Sequence, residues 1–567
     1  MRKLIYKLFS TLGSAEAKRL EAASRNPRAA QLSRLMSIVS RNQGTRFGRE
    51  HAFRSIRSVS DYQKAVPVRD YEQISPYIDR LVAGESGVLT AERPLMFART
   101  SGTTGSPKYI PITRAYLEEF RRSSVVSGYH TLANFPGIAN GVVLSVASPA
   151  EEGRTPGGLP YGAISGFLFL HEPLLIRQHI SPIPYDVFLI KDWETRYYTL
   201  LRLALVLPLS CIYTLNPSTI TMLARKLREY GPGLVADIGD GTIRPPARLA
   251  PELLRKLSPL LGRERARALE LQALLDHENF LPGRIWPTLK VICCWTKAAA
   301  AFYLHEFPRL FESIPICDIT YGASEGRGTI FLGPNRELLS VRSHFYEFIP
   351  EQEIDSQSPT VLLPDQLTPG EKYYILFTTS GGLYRYHIND VVRVTGFHNQ
   401  TPLIEFQYKG GNISSFTGEK ITEPQVTEAM SGALSELGIS ARYFAVVPEF
   451  FPSPHYRLWI EPDWDTALAH RPAAQNDRAL IDLAARFDRR LAELNIEYKS
   501  KRESMRLDPV VTEIIAPGSY EQLRQALCQR GIADAQIKLS HLQPRGETLK
   551  FFQERLIDRS GEPALKA

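Results

Sequence analysis

The chain has 567 residues, 43% hydrophobic and 23% charged, with a formal net charge of +8. That length excludes a single simple domain and calls for two or three cores. Its 38 glycines and 40 prolines are spread along the chain, which excludes a collagen-like or low-complexity protein, and the basic residues are scattered, without the dense block, zinc-finger spacing or RNP-like run of a nucleic-acid binder.

Residues 1–13 carry basic residues around a short apolar stretch that Lys7 interrupts. The stretch is too short and broken for a signal-peptide core, although weak contact of this first helix with a membrane surface stays open. No window approaches the ~20 apolar residues of a spanning helix. Residues 200–211 are apolar, but Arg202 and Pro208 break them. A cytoplasmic protein without an integral membrane segment is the expectation. The five cysteines, Cys211, Cys293, Cys294, Cys317 and Cys528, are too few and odd in number for a disulfide framework. Cys293 and Cys294 lie in the apolar run Val291-Ile292-Cys293-Cys294-Trp295 and read as buried strand residues, not ligands.

In chain order, residues 14–50 have helical spacing. Residues 66–77 alternate prolines with acidic and aromatic residues and read as extended. A strand at 95–98 runs into a Ser/Gly/Thr loop, and a helix follows over 113–124, with Thr113 as N-cap and Glu118 and Glu119 in its early turns. A strand at 141–147 precedes a Gly/Pro-rich segment at 151–166 that reads as a mobile loop. Helices at 217–230 and 251–277, a strand at 290–295, a helix at 298–311 and a strand at 316–320 alternate as α/β layers do. Short strands follow at 373–379, 390–395 and 403–408, then the loop Gly410-Gly411-Asn412, a helix at 423–437, strands at 442–447 and 456–460, and a helix at 479–494. This shift puts the main boundary near Lys409, and no internal repeat is evident.

Three segments carry chemistry. The first is Thr100-Ser101-Gly102-Thr103-Thr104-Gly105-Ser106-Pro107-Lys108. Its glycines permit close backbone approach, its hydroxyls and N–H groups suit phosphate oxygens, and Lys108 adds a positive charge. It lacks the Gly-Lys-Ser/Thr ending of a Walker A loop. A surface turn is the bland alternative; its place between a strand and a helix favours the ligand. The second is Tyr321-Gly322-Ala323-Ser324-Glu325-Gly326, where an aromatic ring at a strand end can stack on a base, a hydroxyl can meet a phosphate, and a carboxylate can hold Mg²⁺. A turn with a solvated Glu is the alternative. The third is Gly382 to Val392, in which Asp390 opens an apolar strand and could accept both ribose hydroxyls. The alternative is an edge Asp paired with Arg385 or Arg393. His387 has no nucleophile to serve and reads as structural. Ser101 lacks the Gly-x-Ser-x-Gly elbow of a hydrolase.

The order of these segments resembles the adenylate-forming superfamily. Longer runs, Val66-Pro-Val-Arg-Asp-Tyr-Glu, Pro76-Tyr-Ile-Asp-Arg, Ile285-Trp-Pro-Thr-Leu-Lys-Val-Ile, Phe345-Tyr-Glu-Phe-Ile-Pro and Gly382-Leu-Tyr-Arg-Tyr, look like the plant auxin-responsive-promoter family of acyl acid–amino acid amido synthetases, over about residues 35 to 430. The resemblance implies a large layered α/β adenylation domain, residues 1–409, and a smaller α+β lid domain, residues 410–567. It implies ATP-dependent activation of a small carboxylic acid and acyl transfer to the amine of an amino acid, by a monomer using ATP and Mg²⁺. Ser101, Gly102, Thr103, Thr104, Gly105 and Lys108 would hold the phosphates. Tyr321 and Ser324 would line the nucleotide, Glu325 would hold Mg²⁺, and Asp390 would take the ribose. Lys409 matches the family's hinge residue. Lys538, in Gln536-Ile537-Lys538, would approach the α-phosphate, with Lys550 as its competitor. Plant members carry an Arg-Val-Gly-Asp-like run where this chain has His387-Ile388-Asn389-Asp390, and Lys297 replaces a glycine after Thr296. An acyl-CoA ligase would share the first step, and a non-catalytic homologue would bind nucleotide only. Product mass separates the first, and acid-dependent ATP–pyrophosphate exchange the second.

Overall fold

Strands Val142–Ser145, Leu209–Tyr213, Val291–Cys294 and Ile316–Asp318 lie side by side in chain order, all parallel, in this computed structural model. The structure describes residues 1–100, 108–277, 279–410, 413–414, 419, 421–450, 453–463, 473–530, 532, 537, 539–543 and 546–557. Parallel neighbours need long crossovers. Helix Trp193–Ala204 precedes the second strand and Pro217–Asp240 the third, where Asn216 caps the helix and Gly241 ends it in a left-handed turn. Val291–Cys294 is buried throughout, as a parallel sheet covered on both faces requires. Cys293 and Cys294 are therefore core residues, as their apolar context predicts, and the described cysteines are all free thiols.

A second sheet has six strands in the spatial order Phe345–Pro350, Lys372–Thr378, Tyr386–His398, Thr401–Lys409, Arg336–Leu339 and Thr329–Gly333. A third pairs Met96–Thr100 antiparallel with Lys108–Ile112 and parallel with Pro160–Gly162. The phosphate-type loop is thus the connection between two antiparallel strands, Thr100 opposite Lys108, and the helix begins only after the second of them. Thr113 caps that helix, Arg114–Asn134, its hydroxyl accepting from the Tyr116 N–H.

Four expectations need correction. Residues 66–70 are extended, but Tyr71–Val82 is a helix, because Asp70 and Gln73 form a capping box that outweighs the interior Pro76. Residues 151–166 hold strands Gly153–Arg154 and Pro160–Gly162, paired to each other and to the loop-bearing sheet, so they are not a free loop. The 251–277 helix is two, Pro251–Leu257 and Arg265–Asp276, separated where Pro259 and Gly262 fall. Asp390 does not open a strand; it lies inside Tyr386–His398.

Packing divides the chain into two units, Met1–Thr296 with Glu306–Phe406, and Lys297–His305 with Gln407–Ala567. The second unit is α+β. Its sheet orders Ala441–Glu449, His455–Pro462, Val511–Ile515 and Leu556–Ile557, and its helices Glu423–Leu437 and Ala473–Leu494 pack together. Phe302 and Tyr303, from the 3-10 stretch Ala298–Glu306 that opens the helix expected at 298–311, enter this unit's core beside Phe444. Among the described residues no helix is long and apolar enough to cross a membrane.

In the first unit one buried carboxylate ties several elements together. Glu119, 2% exposed, accepts from Arg34, from the Ser380 hydroxyl and N–H, and from His344 Nδ1 at 2.9 Å. The other ring nitrogen, Nε2, accepts the Arg327 N–H at 3.0 Å. The ring therefore carries its proton on Nδ1 and bridges helix Arg114–Asn134 to the segment after Glu325. Glu119→Ala strands Arg34 and His344 in the core, and we predict a loss of roughly 3–5 kcal/mol in urea unfolding, the range for breaking a buried pair from one side. A loss under about 1 kcal/mol would place the anchor elsewhere.

Candidate active site

The second chemical segment starts immediately past the carboxyl end of the edge strand Ile316–Asp318, where open α/β sheets bind ligands. Thr320 has φ of +70°, rare for a β-branched residue. Its N–H donates to Asp318 Oδ1 at 2.6 Å, and its hydroxyl accepts from Arg327 at 2.6 Å. The Arg327 guanidinium also reaches the Ile319 carbonyl at 3.0 Å. Several bonds thus hold one strained residue, the condition under which such strain persists. Tyr321 then turns back, its carbonyl accepting from the N–H groups of Gly328 and Thr329 at 3.0 Å each. Ser324 and Glu325 occupy the tip of a tight turn closed by Ala323 N–H to the Gly326 carbonyl at 2.9 Å. Only glycine fits at 328, since a Cβ there would stand 2.1 Å from the Tyr321 ring.

Asp390 arrives from the six-stranded sheet. The register against Lys372–Thr378 slips between Tyr374 and Leu376, which pair with Val391 and His387. Extra residues therefore bulge out over His387–Val391, and a bulge re-aims a side chain. Asn389 sits in the bulge at φ of +67°. Asparagine and glycine are the residues that take this left-handed conformation cheaply. The exchange of a glycine for Asn389 before the Asp thus preserves the backbone. Asp390 Oδ2 accepts the Tyr321 hydroxyl at 2.7 Å, both residues buried. Burial first, then the Asp390 carboxylate, hold the Tyr321 hydroxyl well above its ordinary pKa, so it remains a donor. Phe406 stacks on the Tyr321 ring at 5.4 Å.

Around Glu325, itself buried, stand four tyrosines. Tyr116 donates its hydroxyl to the Ser324 carbonyl at 2.8 Å. Burial chiefly, and the Glu325 charge in addition, raise the hydroxyls of Tyr116, Tyr386, Tyr321 and Tyr71. Tyr386 also feels Tyr71, Asp390 and Asp70. The backbone explains this: Arg69 bridges to Tyr386 in parallel, with His387 N–H donating to the Arg69 carbonyl at 2.7 Å. Tyr71 in turn accepts the Tyr109 N–H at 2.8 Å, and Lys108 Nζ lies 5.0 Å over its ring. Lys108, Tyr71, Tyr386, Glu325, Tyr321 and Asp390 are therefore one neighbourhood. At the other foot of the loop Arg99 meets Glu152 at 3.4 Å, and burial lifts that carboxyl to about 7.

The fold thus brings Lys108, Tyr321, Ser324, Glu325 and Asp390 together. Ser101, Gly102, Thr103, Thr104 and Gly105 lie outside the described residues, as do Lys538 and the Gly411-Asn412 part of the hinge loop. Lys409, half-buried at the end of Thr401–Lys409, and Lys550, exposed on Gly546–Gln553, belong to the second unit. Sequence reading missed Tyr116, Tyr386, Phe406 and the Asp318–Arg327 brace as site residues. Tyr71 and Tyr386 nevertheless lay in the recognised runs Val66-to-Glu72 and Gly382-to-Tyr386, and Glu119 was noted only for its place in the helix.

Comparison with known proteins gives one answer along the chain. Residues 16–316 match the GH3 family N-terminal domain, 338–409 the GH3 family central domain, and 424–547 the GH3 family C-terminal domain. The indole-3-acetic acid-amido synthetase GH3.3 of Arabidopsis thaliana is 23% identical over 96% of this chain and 94% of its own length. The jasmonoyl–L-amino acid synthetase JAR6 of Nicotiana attenuata is 24% identical over 89% of each chain. The solved structure of the AtGH3.15 acyl acid amido synthetase in complex with 2,4-DB superposes with a TM-score of 0.82, at 20% identity, covering 97% of each chain. The resemblance and the mixed α/β architecture read from sequence are both borne out.

The Asn389 geometry makes a sharp prediction. Asn389→Gly stays within about 0.5 kcal/mol of the parent in urea unfolding, because both residues accept positive φ. Asn389→Val costs about 1–2 kcal/mol, the left-handed penalty of a β-branched residue. Equal stability of the two variants would rule out the bulge as the device that aims Asp390.

Proposed function

We propose this chain's function from one premise: it belongs to the GH3 family. It activates a small carboxylic acid with ATP as the acyl-adenylate, releasing pyrophosphate, and transfers the acyl group to the amine of an amino acid. The observation that carries this reading is the buried Tyr321–Asp390 bond beside the Glu325 turn, past the end of a parallel sheet. Adenylation makes a poor electrophile a good one, since AMP leaves far more readily than hydroxide. A carboxylate oxygen attacks the α-phosphorus and pyrophosphate departs. The amine nitrogen then attacks the acyl carbon, AMP departs, and the nitrogen loses a proton to solvent.

Each residue has a task in that sequence. Asp390 grips the ribose hydroxyls. It is a positioned acceptor, because the bulge and the Tyr321 hydroxyl fix its carboxylate. Ser101 to Gly105 and Lys108 hold the phosphates, and the leaving charge is stabilised by positioning and electrostatics. Glu325 is suited to Mg²⁺: it is a buried carboxylate whose charge reaches Tyr116 and Tyr386, and Mg²⁺ takes one or two carboxylates together with substrate phosphates. That ion would neutralise phosphate charge. Lys538, with Lys550 as competitor, approaches the α-phosphate, and Lys409 serves the hinge between residues 1–409 and a lid of residues 410–567. The enzyme acts as a monomer in the cytoplasm.

A pyrophosphate-release screen over carboxylic acids crossed with amino acids identifies the pair, and the product gains the mass of the amino acid. Glu325→Ala lowers acid-dependent pyrophosphate exchange by roughly 10²–10³, the scale for losing one transition-state charge partner, with its circular dichroism unchanged. Full exchange in that variant would remove Glu325 from the reaction, and a thioester product would replace the amine with CoA.

A further inference from the structure

Helix Arg2–Ser24 packs one face onto helix Arg114–Asn134, closely enough that a Cβ at Gly13 would stand 2.6 Å from Tyr129 and one at Gly128 would stand 2.8 Å from Phe9. Tyr6 and Ile5 enter a small core with Ile176 and Ile180. Among the described residues the opposite face has no such cover. Leu4, Leu8 and Leu12 are 64%, 60% and 59% exposed. They advance about 40° per step around the helix and so form one ridge. Lys3, Lys7 and Lys18, all exposed, fall on the adjoining flank of the same face. No acidic residue occurs before Glu16, and Glu16 is engaged by Arg19 and Arg342. Packed against this helix is Leu174–His179, whose Leu174 and Leu175 are 59% and 53% exposed. Beside the basic flank a cavity of about 420 Å³ is lined by Lys3, Lys7, Leu132, Ala133, Pro136 and Ala139.

Scattered exposed leucines are ordinary; five on two touching helices beside Lys3 and Lys7, in a stretch without an acidic residue, are not, and farther along Glu21 is paired with Arg25 and His398. We infer that this face docks the protein on an anionic lipid surface, the leucine ridge entering the acyl boundary and Lys3, Lys7 and Lys18 meeting the headgroup phosphates. The physics is that of an interfacial amphipathic helix: apolar burial plus attraction to anionic lipid. Charge selects this occupant over a second copy, because joining two such faces sets lysine against lysine. The helix lies along the surface and crosses nothing.

Co-sedimentation of the full chain with vesicles tests it. The protein is expected to pellet with an equal mixture of phosphatidylcholine and phosphatidylglycerol and to stay soluble with phosphatidylcholine alone. High salt releases it. Lys3→Gln and Lys7→Gln each weaken binding roughly fivefold. Leu8→Glu weakens it more than about tenfold, while thermal melting and acid-dependent pyrophosphate exchange without vesicles stay as in the parent. Absence of binding to the mixed vesicles, equal binding to neutral ones, or full binding by Leu8→Glu would overturn the inference. So would a concentration-dependent dimer in analytical ultracentrifugation that Leu8→Glu abolishes, since a second copy would then cover the face.

Discussion

The site depends on one buried relay, Glu119 to His344 to the Arg327 backbone. His344 is fully buried and stacks on Tyr116 at 5.6 Å, so its ring can neither move nor hydrate. Through it the helix that follows the loop-bearing strands holds the segment that carries Ser324 and Glu325. The same helix begins at Thr113, whose hydroxyl donates to the Ser380 carbonyl, and Ser380 closes back on Glu119. Arg327, held by its N–H, spends its guanidinium on Thr320 and Ile319 and so maintains the positive φ before Tyr321. Buried polar networks of this kind are worth having only when each member is satisfied.

Two opposed kinds of order meet at Glu325 and Asp390. Both carboxylates are buried, which is costly; Asp390 accepts the Tyr321 hydroxyl, and the Glu325 charge is felt by the hydroxyls of Tyr116 and Tyr386. A group of buried carboxylates among phenols has little to offer an apolar core. It is well matched to a sugar, which brings donors, and to phosphates that arrive with a divalent cation. The strain at Thr320 and the bulge at Asn389 fit the same pattern, since backbone in sparsely populated conformations collects at functional sites.

Much of this was legible in the sequence, for identifiable reasons. The parallel strands stand out because burial on both faces makes them short apolar runs, as in Val291-Ile292-Cys293-Cys294. The Thr113 cap announces its helix by residue type, and the helix Glu423–Leu437 has the predicted ends, with Gly438 in the left-handed stop position. The Tyr71–Val82 helix was hidden because Pro76 speaks louder than a capping box when only local signals are read. The bulge was hidden because it is a register property, visible only against Lys372–Thr378 opposite, and Asn389 alone does not announce it. Tyr116, Tyr386 and Tyr71 converge from three elements distant in the sequence, so no spacing rule links them. Tyr321, Glu325 and Asp390 could be named early because the family resemblance rests on those residue types in that order.

In the proposed reaction Asp390 holds the ribose of a nucleotide whose phosphates lie toward Lys108. Calorimetric titration of ATP and 2′,3′-dideoxy-ATP into the parent and into Asp390→Asn tests it most directly. The parent is expected to bind ATP about 10- to 100-fold more tightly than the dideoxy analogue, the worth of hydrogen bonds to a charged acceptor, and Asp390→Asn to lose most of that preference. Equal preference in the two proteins, or none in the parent, would contradict it.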